Sequence, residues 1–362
     1  MKSDSPFSKL PSLSDLLSHP TVAKVVTRVN QSTIAHRATG FLEELQANLR
    51  QRIGEGGIPS LGQLAERLAK RLLGPNLVTD PAVNATGVVL GDTWPALPLA
   101  EPAVDGLVQF ATEYQSNPSQ LAERSAELVE ALTGAEAAWV AHTFAAAEKI
   151  ARSVGGNIES SRLAGILNPA DYGLEPVTTL AERIRSGVDL LVVEGAGLLG
   201  GPPCGVVLGK LDKVAECRRH APQDQLSACQ LTLAALAATL QVYQLDDHAI
   251  HQIPVWQLLT APLENLEQRA IRLATLLAES SRVSSARAVK CESTWCQTPE
   301  ANLCAPSWAI SLKPASGTAE QLCETLDAAT PRVVARIAEE EVLLDLRSVF
   351  PRWDQHLVSA LE

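Results

Sequence analysis

Two short apolar runs constrain this chain more than anything else in it: Leu190-Leu191-Val192-Val193, and Val206-Val207-Leu208 set between Gly205 and Gly209. Both read as strands buried on their two faces, and such strands need helices packed above and below them. Helical patterns are in place. Leu121 to Leu132 reads as a helix with Leu121, Leu128 and Leu132 on its core face, stopped by Thr133-Gly134. Ala137 to Ala141 reads as a third buried strand, Ala145 to Val154 as a helix, and Thr232 to Tyr243 as another. Val83 to Leu90 mixes strand formers with a turn. Strands and helices in alternation predict a mostly parallel sheet covered by helices.

The flanks read differently. Leu10 to Leu17 looks like a cap and a short helix, followed by helical stretches Val22 to Val29, Thr39 to Arg52 and Leu61 to Leu73, the last stopped by Gly74-Pro75. In the third stretch Phe41, Leu42, Leu45 and Leu49 fall on one amphipathic face. Beyond Tyr243, Leu263 to Ser280 predicts a long helix, Trp308 to Leu312 and Val342 to Leu346 predict strands, and Thr318 to Asp327 and Asp354 to Leu361 predict helices. The expected division is a helical domain over 1–75, an α/β domain over 76–245 and an α+β domain over 246–362.

Hydrophobic residues make up 46% of the 362, enough for a sizeable core. The opening Met1-Lys2-Ser3-Asp4 has no apolar run of signal-peptide type, and the most apolar helical segment, Leu231 to Tyr243, is too short to span a bilayer. A cytoplasmic protein without membrane contact is expected. Seven cysteines, an odd number, suit free thiols in a reducing compartment. Cys291, Cys296 and Cys304 lie near one another but lack the paired short spacing of a zinc site, and His248 and His251 fit a solvated or capping role. No metal is expected. The net charge of −11 argues against general nucleic-acid affinity. It is uneven, however: residues 1–75 hold ten Lys/Arg and six Asp/Glu, a net of +4, which leaves −15 on the remainder. A basic arm on an acidic body is compatible with RNA contact by the arm, but charge alone favours a solvated helical face.

Several segments, taken in order, carry a resemblance. They are Leu10-Pro-Ser-Leu-Ser-Asp-Leu-Leu-Ser-His-Pro20; Asn84-Ala-Thr-Gly-Val-Val-Leu90; Leu132-Thr-Gly-Ala-Glu136; Tyr172-Gly173; Ser186-Gly-Val-Asp-Leu190; Leu198-Leu-Gly-Gly-Pro202; Gly205 to Gly209; Thr232-Leu-Ala-Ala-Leu236; and Leu343-Leu-Asp-Leu-Arg347. Their collinear order resembles the bacterial selenocysteine synthases, the L-seryl-tRNA(Sec) selenium transferases. The resemblance implies an α/β fold of the pyridoxal-phosphate (PLP) dependent transferases, aspartate-aminotransferase type (fold type I), in reduced form. It also implies ring-shaped homo-oligomers and an N-terminal helical domain that grips tRNA(Sec). On that domain the candidate tRNA contacts are Lys9, Lys24, Arg28, Arg37, Arg50 and Arg52.

The family's chemistry needs a lysine amine to hold PLP as a Schiff base. The resemblance puts that lysine just before Leu198, where this chain reads Glu194-Gly195-Ala196-Gly197. The lysine position is Gly197, and Lys210, the nearest lysine in sequence, lies beyond the next strand. Ser160 or Ser161 falls where an aspartate should pair the pyridine nitrogen, and His142-Thr143-Phe144 replaces an asparagine-rich phosphate loop. Gly91 to Ala96 replaces a histidine- and arginine-bearing segment, and Asp224 and Ser227 fall near the arginines of the selenium-donor site. About three βαβ units, roughly a hundred residues, are missing between Gly156 and Ser161. No catalytic residue is expected. The remnant pocket would comprise Asn84, Thr86, His142, Thr143, Gly195, Gly197, Gly200 and Gly201. Asn84 and Thr86 also fit a turn, Gly200-Gly201-Pro202-Pro203 a tight turn feeding a strand, Cys204 a small buried residue, and Arg124 a helix-surface residue.

The expectation is a homologue without catalysis and without cofactor. It would bind tRNA(Sec) through its N-terminal domain, or assemble as a homo-oligomer or with an intact synthase. The alternative is an active PLP-dependent selenium transferase that borrows a lysine from a neighbouring subunit. A third reading, unrelated chemistry on the old fold, has no Ser-His-Asp, metal or nucleotide motif behind it.

Overall fold

The computed structural model describes residues 12–26, 34–35, 37–42, 45, 60–73, 81–94, 97–117, 119–220, 226–245 and 249–361. The chain divides into two compact units, Met1–Pro81 and Ala82–Glu362.

In the first unit the helix Leu13–Ser18 is started by a capping box: the Ser12 hydroxyl accepts from the Asp15 amide, and the Asp15 carboxylate accepts from the Ser12 amide. A helix follows over Pro20–Val26 and another over Leu61–Leu73. In the last, Leu64, Leu68 and Leu72 recur every fourth residue, and with Ala65 and Ala69 they bury against Leu16 and Val22. Arg37 donates to the Leu72 carbonyl at 2.7 Å, so it caps the end of this helix. Of the other candidate tRNA contacts, Lys24 lies in the last turn of the second helix, while Lys9, Arg28, Arg50 and Arg52 lie outside the described residues.

The second unit holds two sheets. The smaller has the order β3 (Ala137–Ala141), β6 (Gly205–Gly209), β5 (Leu190–Glu194), β4 (Ile158–Ser161). Alternation of side chains across the pleat makes it the middle of three layers. Ala138, Val140, Leu191, Val193, Val206 and Leu208 face a core completed by Leu128, Leu233 and Leu236 from the helices Ser119–Thr133 and Gln230–Val242. Trp139, Leu190, Val192 and Val207 face a second core completed by Ile150 and Val214 from the helices Phe144–Val154 and Leu211–His220. The expected mostly parallel sheet needs correction. Only β4 and β5 pair in parallel, because β6 runs antiparallel to both its neighbours. The reversal follows from the short Glu194 to Cys204 connection, which returns the chain directly without a crossover helix.

The larger sheet has the order β1 (Ala82–Ala85), β9 (Arg332–Ala338), β10 (Glu341–Asp345), β8 (Asn302–Pro314), β7 (Val283–Gln297), β2 (Leu90–Gly91). The helices Leu263–Leu277 and Ala319–Asp327 bury Leu273, Leu277, Leu322 and Leu326 against its Ile310, Leu312, Val342 and Leu344. Residues 82–91 thus pair with strands from the chain's far end. Asn84 and Thr86 form the turn between β1 and β2, with Asn84 Nδ2 donating to the Val88 carbonyl at 2.7 Å and the Thr86 hydroxyl donating to Asn84 Oδ1 at 2.7 Å. Among the described residues no helix is long and apolar enough to cross a membrane.

Candidate functional site: a cleft at the end of β5

Strand β5 ends at Glu194, and the chain turns back through Gly195 to Cys204 before entering β6. Backbone bonds fix this loop: Gly195 N–H donates to the Cys204 carbonyl, Gly201 N–H to the Gly195 carbonyl and Gly200 N–H to the Gly197 carbonyl, each at 2.9 Å. Two further side chains hold it from outside. The Tyr243 hydroxyl lies 3.1 Å from the Leu198 carbonyl and 3.0 Å from that of Leu199, and Trp256 Nε1 donates to the Leu198 carbonyl at 3.1 Å. The loop is tight enough to exclude side chains. A Cβ on Gly195 would meet Cys204 Sγ at 2.4 Å, and one on Gly197 would meet the Arg162 carbonyl oxygen at 2.3 Å. Gly200 sits at φ +66°, where a Cβ would also strike Ile253.

The loop floors a cleft of about 400 Å³ whose lining includes Asp92, Trp94, Thr143, Phe144, Arg162, Glu194, Gly197, Cys204 and Thr298. A second lobe of about 590 Å³ shares Asp92, Phe144 and Arg162 and adds Glu148, Arg152, Ile158, Ser160 and Glu300. Between them the Arg162 guanidinium lies 5.2 Å from the Phe144 ring centroid and 3.9 Å from Asp92 Oδ1. Phe144 is buried in the first turn of its helix, and Thr143 caps that helix by accepting from the Ala146 amide at 3.1 Å. Burial pushes the Glu194 carboxyl above the usual range, partly offset by the Ala196 and Cys204 backbone amides and by Arg162. Burial, reinforced by Glu194, also pushes the Cys204 thiol up, which removes the thiolate a nucleophile needs. Trp94 Nε1 is buried with no partner among the described residues.

The wall is closed from the larger sheet. Glu300, at the tip of the β7–β8 hairpin, accepts from the Ser161 hydroxyl at 2.8 Å and from the Arg162 amide at 2.6 Å. Ser161 is fully used, since its hydroxyl also accepts from the Leu163 and Ala164 amides at 3.2 and 3.0 Å.

Of the expected remnant pocket, Thr143 and Gly197 line the cleft. Asn84 and Thr86 serve their turn, Gly195, Gly200 and Gly201 are packed into the loop, and His142 is exposed, its amide donating to the Leu226 carbonyl at 2.7 Å. Arg124 lies on a helix surface, 3.4 Å from Glu127. Lys210 is spent at the opposite end of β5, about 16 Å away along the strand at roughly 3.3 Å per residue, where its Nζ meets Asp189 Oδ1 at 2.6 Å. Asp224 and His248 lie outside the described residues, and Ser227 bridges to the edge of β3. The three clustered cysteines point to separate partners, Asp345, Thr298 and Thr294. Among the described residues no group of three or more His, Cys, Asp and Glu is arranged to hold a metal. Sequence reasoning missed Arg162, Thr298 and Glu300 as cleft residues. Thr298 and Glu300 arrive from a hairpin over a hundred positions away from β5, and a lone arginine after β4 gives no pattern to read.

The profile of the family described as L-seryl-tRNA selenium transferase matches residues 149–350, more than half of the chain. The chain belongs to that family. The L-seryl-tRNA(Sec) selenium transferase of Moorella thermoacetica is 34% identical over 223 residues, which cover 60% of this chain and 47% of that protein. Its counterpart from Yersinia enterocolitica serotype O:8 / biotype 1B is 34% identical over 186 residues, 49% of this chain and 39% of that one. The chain therefore spans about half the length, or less, of the curated relatives it matches. Among solved structures, D-glucosaminate-6-phosphate ammonia-lyase superposes with a TM-score of 0.51 at 14% identity, covering 81% of this chain and 96% of that one. The fold is that of the PLP-dependent enzymes of fold type I.

That fold implies PLP, and the cleft can be tested against it. The group needs an amine, an acid facing its ring nitrogen and a small polar cradle for its phosphate. Among the described residues the lining contains no lysine. Ser161 stands at the end of β4 with its hydroxyl already bonded, and a phenyl ring fills the first turn of the helix that would receive a phosphate. These residues do not fit the group.

Proposed function

We propose that this chain is a non-catalytic member of the selenium transferase family, which binds no PLP and acts by binding tRNA(Sec) or a partner subunit. One observation carries the reading. At Gly197, where the resemblance places the family lysine, the Arg162 carbonyl oxygen takes the space a side chain would enter. A lysine at this position would therefore require the backbone after β4 to move. The N-terminal unit supports the tRNA branch by its net positive charge, although Arg37 is occupied in capping a helix.

Two measurements test this. Incubation with PLP should give no aldimine absorbance and no borohydride-reducible adduct by mass spectrometry. Filter binding at low salt should retain tRNA(Sec) over bulk tRNA. A reducible lysine adduct would sink the non-catalytic reading, and equal or absent retention of the two RNAs would remove the tRNA branch. The second reading, an active transferase, draws on the names of the relatives. It requires selenocysteinyl-tRNA(Sec) to form from seryl-tRNA(Sec) and selenophosphate on the purified chain.

A further inference from the structure

Glu194 stands apart from the other charged groups of the cleft. Asp92, Glu148, Glu194 and Glu300 line the two lobes together with Arg152 and Arg162, a net of −2. Most of these charges are matched within the chain. Glu148 and Arg152 meet at 2.6 Å, Asp92 lies 3.9 Å from Arg162, and Glu300 accepts from the Ser161 hydroxyl and the Arg162 amide. Among the described residues Glu194 makes no ion pair. Its carboxylate is met by backbone amides, that of Ala196 at 3.5 Å. A half-buried carboxylate without a counter-ion is costly, which is why burial outweighs those amides and the more distant Arg162 in raising its pKa.

The lining around Glu194 is mostly apolar. Leu90, Ala196 and Cys204 are buried there, and half-buried Trp94 lines the same space. Thr143 and Pro203 in the lining are exposed, so the cleft opens to solvent. Its volume of about 400 Å³ falls in the range of pockets that take small organic ligands, roughly 300–1,000 Å³.

We propose that this cleft binds a small organic cation, a primary amine on a short apolar or aromatic body, with its ammonium group on the Glu194 carboxylate and its body against Leu90, Ala196 and Cys204. The charges select a cation over an anion. An anion would have only Arg162 to meet it, and Arg162 is already placed between Asp92 and the Phe144 ring, while Glu194 would repel it. The donors select an amine over a metal ion. Among the described residues no three His, Cys, Asp or Glu side chains converge, and a bare ion on one carboxylate would lack its ligands. The site goes beyond the function proposed above and rests on it in one respect, that the cleft holds no PLP.

Isothermal titration calorimetry on the full chain tests it, with 2-phenylethylamine as the probe and 2-phenylethanol and 3-phenylpropionate as its neutral and anionic counterparts. The amine should bind about tenfold or more tighter than either counterpart. Glu194→Gln should weaken the amine about tenfold or more and leave 2-phenylethanol unaffected. The three-probe comparison on the wild type needs no variant, so it decides the matter even where Glu194→Gln does not fold. Equal affinity for the three probes overturns the proposal, as does preference for 3-phenylpropionate, no heat from millimolar amine, or a Glu194→Gln chain that binds the amine as the wild type does. Absorbance of the same samples after incubation with PLP separates the two readings. Without an aldimine band, failure to bind the amine sinks the cation site alone; an aldimine band sinks the reading on which it rests.

Discussion

The carbonyl oxygen of Arg162 lies 2.3 Å from the point where a side chain on Gly197 would begin. Restoring a lysine there does not restore a cofactor site, because the backbone after β4 has to move first. Gly197→Ala alone should cost about 1–3 kcal/mol, the usual cost of overpacking, and Gly197→Lys more. Urea denaturation measures the loss. An aldimine spectrum from Gly197→Lys at unchanged stability would contradict it.

Glu194 predicts a pH effect. Burial raises its carboxyl above the ordinary 4.5, so the native state holds this proton more tightly than the unfolded chain. Between the unfolded and folded values the native state binds more protons, and stability falls as pH rises through that window. Glu194→Gln should therefore be more stable than wild type near neutral pH and equal to it below the ordinary carboxylate value. Thermal melts across the acid range give the comparison. A variant less stable at neutral pH would mean that Arg162 and the Ala196 amide outweigh desolvation.

The Glu300 contact ties the hairpin tip to the end of β4. Glu300→Ala leaves the Arg162 amide without its acceptor and removes the bond from buried Ser161. The expected cost is about 1.5–3 kcal/mol, the range for hydrogen bonds to charged groups. Amide exchange at Arg162 should accelerate more than exchange within β5. Uniform acceleration would show that the hairpin does not act locally.

Thiol chemistry gives a fourth prediction. Cys229 is exposed, and hydrogen bonds from the Thr232 hydroxyl and amide hold its thiol below the usual value. Cys217 and Cys296 are buried and pushed up to about 11, and Cys204 is raised as well. Iodoacetamide should modify Cys229 first, with Cys204, Cys217 and Cys296 protected until unfolding, as peptide mass mapping would reveal. Early labelling of Cys204 would mean that the cleft floor opens in solution.

Strands β3, β5 and β6 were legible because each is buried on both faces, and their apolar runs say so without reference to neighbours. Strand β7 was not. Its Val283 to Gln297 alternates weakly, carries Arg287, Lys290 and Glu292, and is extended because β8 pairs with it along nearly its whole length. Strand β4, with one apolar residue in four, gave no pattern either. The same divide runs through the cleft. Glu194 and Gly197 could be placed from the strand they follow, whereas Thr298 and Glu300 are brought in by the register of a hairpin, which no local pattern encodes.

Asp345 gives the last prediction. It is fully buried at the end of β10, yet each oxygen is used: Oδ2 accepts from Ser293 at 2.6 Å and lies 3.4 Å from Arg336 Nη2, and Oδ1 accepts from Ser307 at 2.8 Å and from the Arg347 amide at 3.1 Å. Arg347, also buried, sends its guanidinium to the Leu259 and Pro306 carbonyls, and burial lowers its pKa with Asp345 opposing. Gly87 is required beside this carboxylate, since a Cβ there would lie 2.5 Å from Oδ2. The network joins β10 to β7, β8 and the turn after β1, where the first and last strands of the second unit meet in one sheet. Asp345→Ala leaves two arginines near an empty site and should cost about 3–5 kcal/mol, the range for breaking a buried pair from one side. Asp345→Asn keeps the shape and two acceptor sites and should cost less. Both can be read from denaturant midpoints. Equal midpoints for wild type and Asp345→Ala would mean that water replaces the carboxylate and that the strands hold the sheet without it.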